Sequence, residues 1–359
     1  MAQLKFMQAR PDVGAVAGVA VLVLSGLSTA SQAQDAGAFF KGRTITIGVG
    51  AASGGGLDTY ARLIARHLGK HAPGAPQIVV SNMPGAGGQV VARHLYASAP
   101  RDGTHMATFF PSVLLDPLIV APARGIDRVI DPGKFNYVGN AREEVSVCVV
   151  RSDAPVSTPA DLRTTEVVIG ATTPGSQVVD YPVVEARLLG IKLKVIQGYV
   201  GTREIAAAIE KGEVQGICGI GWTSIKVQYP DITTPTSRFR VLAQEDGKGD
   251  PELNAAGVPL MTALARTPEE RAVLDLLYAQ NLLARPYALP PDVPADRIAA
   301  LRMAFMKATA DPELQAEAAK MRVEVTGTSG DGMQRLVAQM SETPKAVTDR
   351  LAELLGRGR

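Results

Sequence analysis

Short apolar runs alternate with stripes of helical period over most of this 359-residue chain. Residues 44–47 and 78–81 read as strands, and residues 106–110 as a third. Behind the first strand, Leu57, Tyr60, Ala61, Ile64 and Leu68 fall on one face of a helix. Val91, Leu95 and Ala99 mark the buried side of another, over 89–99. Residues 111–133, broken by Pro and Gly, read as an irregular surface segment. The pattern then restarts, with strands over 145–150, 167–171, 193–196, 214–218 and 240–243 and helices over 178–189 and 203–211. From residue 268 the chain is mainly helical. Pro268, Pro294 and Pro312 each suit a helix start, and Pro344 splits the last stretch, 331–355.

This alternation predicts an α/β architecture with mostly parallel sheets. One α/β unit, then a second, then helices with no sheet of their own predict a chain that crosses between two lobes and returns. The expected division is 39–142 with 281–359 in lobe 1, and 143–280 in lobe 2. A hinge crossed twice makes a closing cleft.

Two of the predicted strands run into glycine loops that open helices. The first is Gly50-Ala51-Ala52-Ser53-Gly54-Gly55-Gly56, and the second is Asn82-Met83-Pro84-Gly85-Ala86-Gly87-Gly88. Strand, glycine loop and helix start together aim unpaired N–H groups and a positive dipole end at an anion. Three consecutive glycines cost more backbone entropy than a plain turn requires, so Ser53, Gly54, Gly55 and Gly56 are candidate ligand contacts. Gly85, Ala86, Gly87 and Gly88 join them, while Asn82 reads as a turn-former. Asp58 is also placed at the site, although its position in the first helical turn suits a cap with Arg62 as its i,i+4 partner. A third small-residue turn offers Thr172, Thr173, Gly175 and Ser176 from the second lobe. Tyr199 and Trp222 either wall the cleft or belong to the core, and Arg142 and Glu143 fall at the hinge rim. The loops contain no Arg or Lys, which predicts recognition by backbone groups and water.

Composition narrows the function. Lys5 and Arg10 flank an apolar stretch over 13–27, and Ser31-Gln32-Ala33 fits a cleavage site, so residues 1–33 read as a signal peptide of an exported, periplasmic protein. With 37 Lys and Arg against 35 Asp and Glu, the chain has no basic field for nucleic acid or an anionic membrane. Cys148 and Cys218 lie in strand-like runs; they are able to pair on neighbouring strands, and two buried free thiols is the preferred reading. No His/Cys spacing suggests a metal site, and no cofactor is indicated. The first loop mimics a dinucleotide fingerprint without its third glycine, and the chain carries no phosphate-loop lysine and no nucleophile elbow. Catalysis is therefore not expected.

Asn82 to Gly88 matches without a gap the Asn-x-Pro-Gly-Ala-Gly-Gly signature of the substrate-binding proteins of tripartite tricarboxylate transporters, the Bug family, which this chain resembles. Gly54 to Arg62 is similar to that family's Gly-Gly-x-x-Asp-x-x-x-Arg loop, offset by one glycine, and Pro100 to Thr104 resembles its Pro-Asp-Gly-x-Thr turn with Arg101 inserted and the spacer before Thr missing. Ala51 and Ala52 stand where the family usually has an aromatic residue. The resemblance implies a type II, venus-flytrap periplasmic binding protein. Such a protein, a monomer, captures a small carboxylate and delivers it to a two-subunit membrane permease driven by an ion gradient. A sensor that presents its loaded form to a signalling partner remains the alternative, and a periplasmic enzyme using the glycine loops a third.

Overall fold

The computed structural model describes residues 36–119 and 130–357. The expected signal peptide lies outside the described residues. Among the described residues eleven strands form two sheets flanked by helices. The first sheet contains β1 (Thr44–Val49), β2 (Gln77–Asn82), β3 (His105–Thr108) and β4 (Asn136–Asn140). The second contains β5 (Ser146–Arg151), β6 (Val167–Gly170), β7 (Leu193–Ile196), β8 (Gly216–Gly221) and β9 (Phe239–Glu245). The chain then returns to the first sheet as β10 (Pro286–Leu289) and β11 (Thr328–Ser329). The strand orders are β11-β4-β10-β3-β1-β2 and β7-β6-β8-β5-β9.

The sheets are mixed, which corrects the expectation of mostly parallel pairing. β1 runs parallel to β2 and β3, and β6 parallel to β7 and β8. The strands next to the two crossings reverse the direction: β10 lies antiparallel between β3 and β4, and β5 antiparallel between β8 and β9. Each enters its sheet from the opposite end, as a strand arriving from the other lobe must. β10 escaped notice in the sequence because four fully buried residues beginning with proline show no alternation.

A second correction concerns residues 111–133. Ser112–Ile119 is a helix, with Val113, Leu114, Leu115 and Ile119 buried. Pro111 precedes it, and Pro117 forfeits only one donor, so burial of the apolar side chains outweighs the cost of the prolines. The last helix, Lys345–Leu354, packs against this one and also against Gln177–Leu189 and Pro268–Tyr278. One apolar cluster therefore runs from Phe109 and Tyr137 through Leu351 to Tyr181 and Val184. A second core beneath the first sheet joins Ile45, Ile47, Leu63 and Ile64 to Tyr287, Leu301 and Phe305.

The cysteines are not free thiols. Cys148 on β5 and Cys218 on β8 form a disulfide between neighbouring antiparallel strands, both fully buried. A buried thiol and a buried half-cystine look alike in sequence; only strand register brings the sulfurs together.

Candidate functional site

The first glycine loop leaves the carboxyl end of β1 and turns at Gly54, whose φ of 82° is the left-handed region that suits glycine. The helix Gly56–His71 starts directly behind it. Asp58, only 2% exposed, organises the turn. Its carboxylate accepts from the Gly54 N–H (2.8 Å), from Arg62 Nε (2.9 Å), from Asn82 Nδ2 (2.9 Å) and from Ser53 Oγ (3.4 Å). The Arg62 bond, helped by Gly54 and Asn82, holds its pKa down to about 2 against the opposing effect of burial. Asn82 donates to the Ala51 carbonyl (3.0 Å) and accepts from Arg62 Nη2 (3.0 Å), so one amide ties the first loop to the second.

Those bonds reassign two candidates. The Asp58 carboxylate is turned inward and fully engaged, so Asp58 shapes the loop and does not face a ligand. The Gly54 N–H is likewise already committed. Gly55 and Gly56 remain exposed at the helix start; the Gly55 N–H reaches the Ala52 carbonyl at 3.4 Å, and the Gly56 N–H, in the first turn, has no intrahelical acceptor.

The second loop follows β2. Gly85, Ala86, Gly87 and Gly88 all have positive φ, which folds the backbone into a compact turn ahead of the helix Gln89–Ala97. The two loops touch: a Cβ on Gly50 would lie 2.9 Å from Gly88 Cα and 2.9 Å from Val91 Cγ1. Ser112 approaches Gly87, and Phe110, 40% exposed, flanks Gly88 as an apolar wall. Both loops thus stand at the carboxyl ends of adjacent parallel strands, the edge at which open α/β sheets take ligands.

On the second sheet, Thr172, Thr173, Gly175 and Ser176 form the turn between β6 and the helix Gln177–Leu189. The Thr172 and Ser176 hydroxyls are 2.8 Å apart, and Ser176 also donates to the Thr173 carbonyl (2.8 Å). Tyr199 is half-buried beside Gly170, its ring 3.3 Å from where a Cβ would stand. Trp222, 1% exposed, is a core residue that donates to Glu252 (3.2 Å).

That turn and the helix Ser112–Ile119 meet around one cation. Arg357 bonds to Asp116 (2.9 Å) and Asp180 (2.7 Å). Gln89 contacts Asp116, and the Gly175 N–H donates to Asp180 (3.1 Å). Burial raises both aspartates, and Arg357 opposes that rise.

The two crossings run side by side. Asn140 donates to the Arg142 and Leu282 carbonyls and accepts from the Arg285 N–H (2.7 Å), while the Glu144 N–H donates to the Asn281 carbonyl. Arg142 pairs with Glu324 and lies 3.8 Å from Glu144, whereas Glu143 accepts from Thr328. Arg285, which sequence reasoning missed, reaches the first loop: a Cβ on Gly56 would stand 3.5 Å from its Nη2. No local motif marks that residue, because it meets Gly56 only through the return of the chain.

Among the described residues two groups have metal-ligand types in reach of one another. Cys148 and Cys218, beside Glu245, are already joined in the disulfide. In the other, the Lys70 ammonium bonds Asp311 (2.7 Å) and Glu313 (2.6 Å) and serves as their cation.

No family model matches the chain, and no curated protein matches it. Solved structures do. A TctC solute-binding protein from Polaromonas, without ligand, aligns with a TM-score of 0.62 at 19% identity, over 85% of this chain and 97% of its own. The periplasmic binding protein BugD aligns at 0.60 and 19% identity, over 88% and 98%. MatC from Rhodopseudomonas palustris, with bound malate, aligns at 0.60 and 18%, over 85% and 99%. At these identities the likeness is one of fold: the chain has the two-sheet α/β architecture of these binding proteins.

Proposed function

We propose that this chain, folded like the TctC and BugD binding proteins, is a periplasmic receptor for a small carboxylate. In this reading residues 39–142 with 281–359 form one lobe and 143–280 the other, and the ligand sits between them. It serves a two-subunit permease and catalyses nothing. The observation that carries the reading is the pair of glycine loops locked together by Asp58, Asn82 and Arg62, with Gly55, Gly56 and Gly87 left exposed. Such a preorganised rim needs no rearrangement to accept carboxylate oxygens. Two or three charge-assisted bonds of roughly 1.5–3 kcal/mol each are enough for micromolar affinity. Thr172, Thr173, Gly175, Ser176 and Tyr199 close from the other side. MatC, a neighbour in fold, was solved with malate, which makes a dicarboxylate the first ligand to try.

Thermal-shift screening followed by calorimetry tests this, with malate, citrate, adipate and aromatic carboxylates beside sugars and cations. Carboxylates are expected to raise the melting temperature. A sugar or cation that does so while every carboxylate fails would overturn the assignment. Gly55→Leu provides the structural arm. Its φ of −77° accepts a side chain, so the variant is expected to fold and to lose binding.

A further inference from the structure

We infer that Arg285 is the fixed positive charge that receives the ligand's carboxylate, an inference that rests on the receptor reading above. Arg285 directly precedes β10, which lies antiparallel beside β3, so it emerges at the edge where β1 and β3 end. Its guanidinium stands 5.1 Å over the Tyr60 ring, and Nη1 donates to the Ala284 carbonyl (2.7 Å). The buried Nε has no acceptor. Nη2 points to the exposed Gly56 at the helix start.

Among the described residues no carboxylate pairs with this guanidinium. Arg142, on the outgoing crossing, is the internal control: it is paired with Glu324 and flanked by Glu144. An arginine does not shed its proton to relieve such a position. The positive end of the helix Gly56–His71 adds to the same potential instead of offsetting it. Asp58, the acid of that helix start, is engaged by Arg62 and the Gly54 N–H, so the Arg285 guanidinium beside the exposed Gly56 keeps its charge for an incoming anion. A carboxylate matches the planar fork of the guanidinium, with the N–H of the exposed Gly56 as a further donor. Recognition is therefore charge-based at this end of the ligand, contrary to the neutral recognition expected from the loop sequences. A carboxylate is favoured over its amide.

The test uses calorimetry on the full chain as exported and purified, with malate and adipate against the matching diamides. Arg285→Gln is expected to weaken carboxylate binding about tenfold to hundredfold. Arg285→Lys falls in between, and the diamides bind poorly to every form. The ligand-free melting temperature of Arg285→Gln is expected to equal or exceed that of the parent, because an uncompensated charge has been removed. Unchanged carboxylate affinity in Arg285→Gln overturns the inference while leaving the receptor reading intact. Loss of affinity together with a lower ligand-free melting temperature also overturns it, assigning Arg285 to the fold. If the parent protein binds no carboxylate, the receptor reading falls and this inference with it.

Discussion

Arg285 at the loop edge and the pair Glu185–Glu245 inside the second lobe carry the same electrostatic problem with opposite sign. Among the described residues Arg285 is a cation without an acid. Glu185 and Glu245 are two acids, both fully buried, that face each other without a cation. Glu185 accepts from Tyr278 Oη (2.6 Å) and Glu245 from the Gly219 N–H (2.6 Å), and among the described residues no Lys or Arg joins them. The carboxyl pair solves its problem internally by keeping a proton, and burial raises Glu185 to about 7 and Glu245 well above its ordinary value. A guanidinium has no such exit. An uncompensated buried acid therefore reports on pH, while an uncompensated arginine reports on an absent anion.

The largest way to disturb this comparison is through the disulfide beside Glu245. Cys148 and Cys218 close a loop of 70 residues. Cutting it by Cys148→Ala with Cys218→Ala is expected to cost about 2–4 kcal/mol in urea unfolding. The same change loosens β5 against β8 and admits water to Glu245, which relaxes its raised pKa. A double variant that loses stability but keeps the parent's pH dependence would show that the acid pair is sealed by helix packing instead.

The pH dependence itself is the next effect. A carboxyl whose folded pKa is raised contributes stability fully present below its unfolded value and lost as pH rises through the folded one. For Glu185 the window runs from about 4.5 to about 7. Stability is expected to fall by roughly 2–3 kcal/mol between pH 5 and pH 8. Glu185→Gln, which keeps the shape and holds a neutral partner for Tyr278 and Glu245, is expected to reduce that slope, leaving the part that burial of Glu245 supplies. A slope undiminished in the variant places its origin elsewhere.

These two sites also mark how far the sequence was legible. Asn82 to Gly88 and Gly50 to Gly56 are contiguous, so their glycine content announced the loop geometry directly. Asp58 and Arg62 stand one helical turn apart, and their pairing followed from the period alone. The helices after residue 268 were readable from their prolines and apolar stripes. Long-range register was not. Cys148 meets Cys218 only because β5 pairs with β8, and Glu185 meets Glu245 only because the helix Gln177–Leu189 packs over that sheet. Arg285 meets Gly56 only because the chain returns as β10. A local pattern carries turn chemistry and helix faces, but not which distant residue will neutralise a charge.

A third effect comes from the compensated end of the scale. Asp58 has its acid and its cation together, and its folded pKa is depressed, so its contribution is present above the unfolded value of 3.8 and lost as pH falls toward about 2. Asp58→Asn is expected to cost about 1–2 kcal/mol, because the Gly54 and Arg62 donors lose a charged acceptor. The deficit should shrink as pH falls from about 4 toward about 2, where the unfolded chain's carboxylate takes up a proton before the folded one does. Ligand affinity should fall as well, since this residue braces both loops. A variant that binds as tightly as the parent would show that the loops hold their shape without the brace.

The smallest effect is the sharpest discriminator. Arg357 sits between Asp116 and Asp180, three side chains that are 20%, 30% and 9% exposed. Partial exposure screens the pairs, so Arg357→Gln is expected to cost only about 1 kcal/mol near neutral pH. Its form is more telling than its size. Without the guanidinium, the two aspartates become a weaker copy of Glu185–Glu245, already raised by burial and now unopposed. The variant should therefore acquire a new pH dependence, losing stability relative to the parent as pH rises through the raised aspartate range. Adding Asp180→Asn to Arg357→Gln should reduce that new slope to what burial alone raises at Asp116, because the like charge beside it is gone. If the single variant shows the same deficit at every pH, the two aspartates are too well hydrated to behave as a pair. Charge compensation would then matter in this protein only where burial is complete.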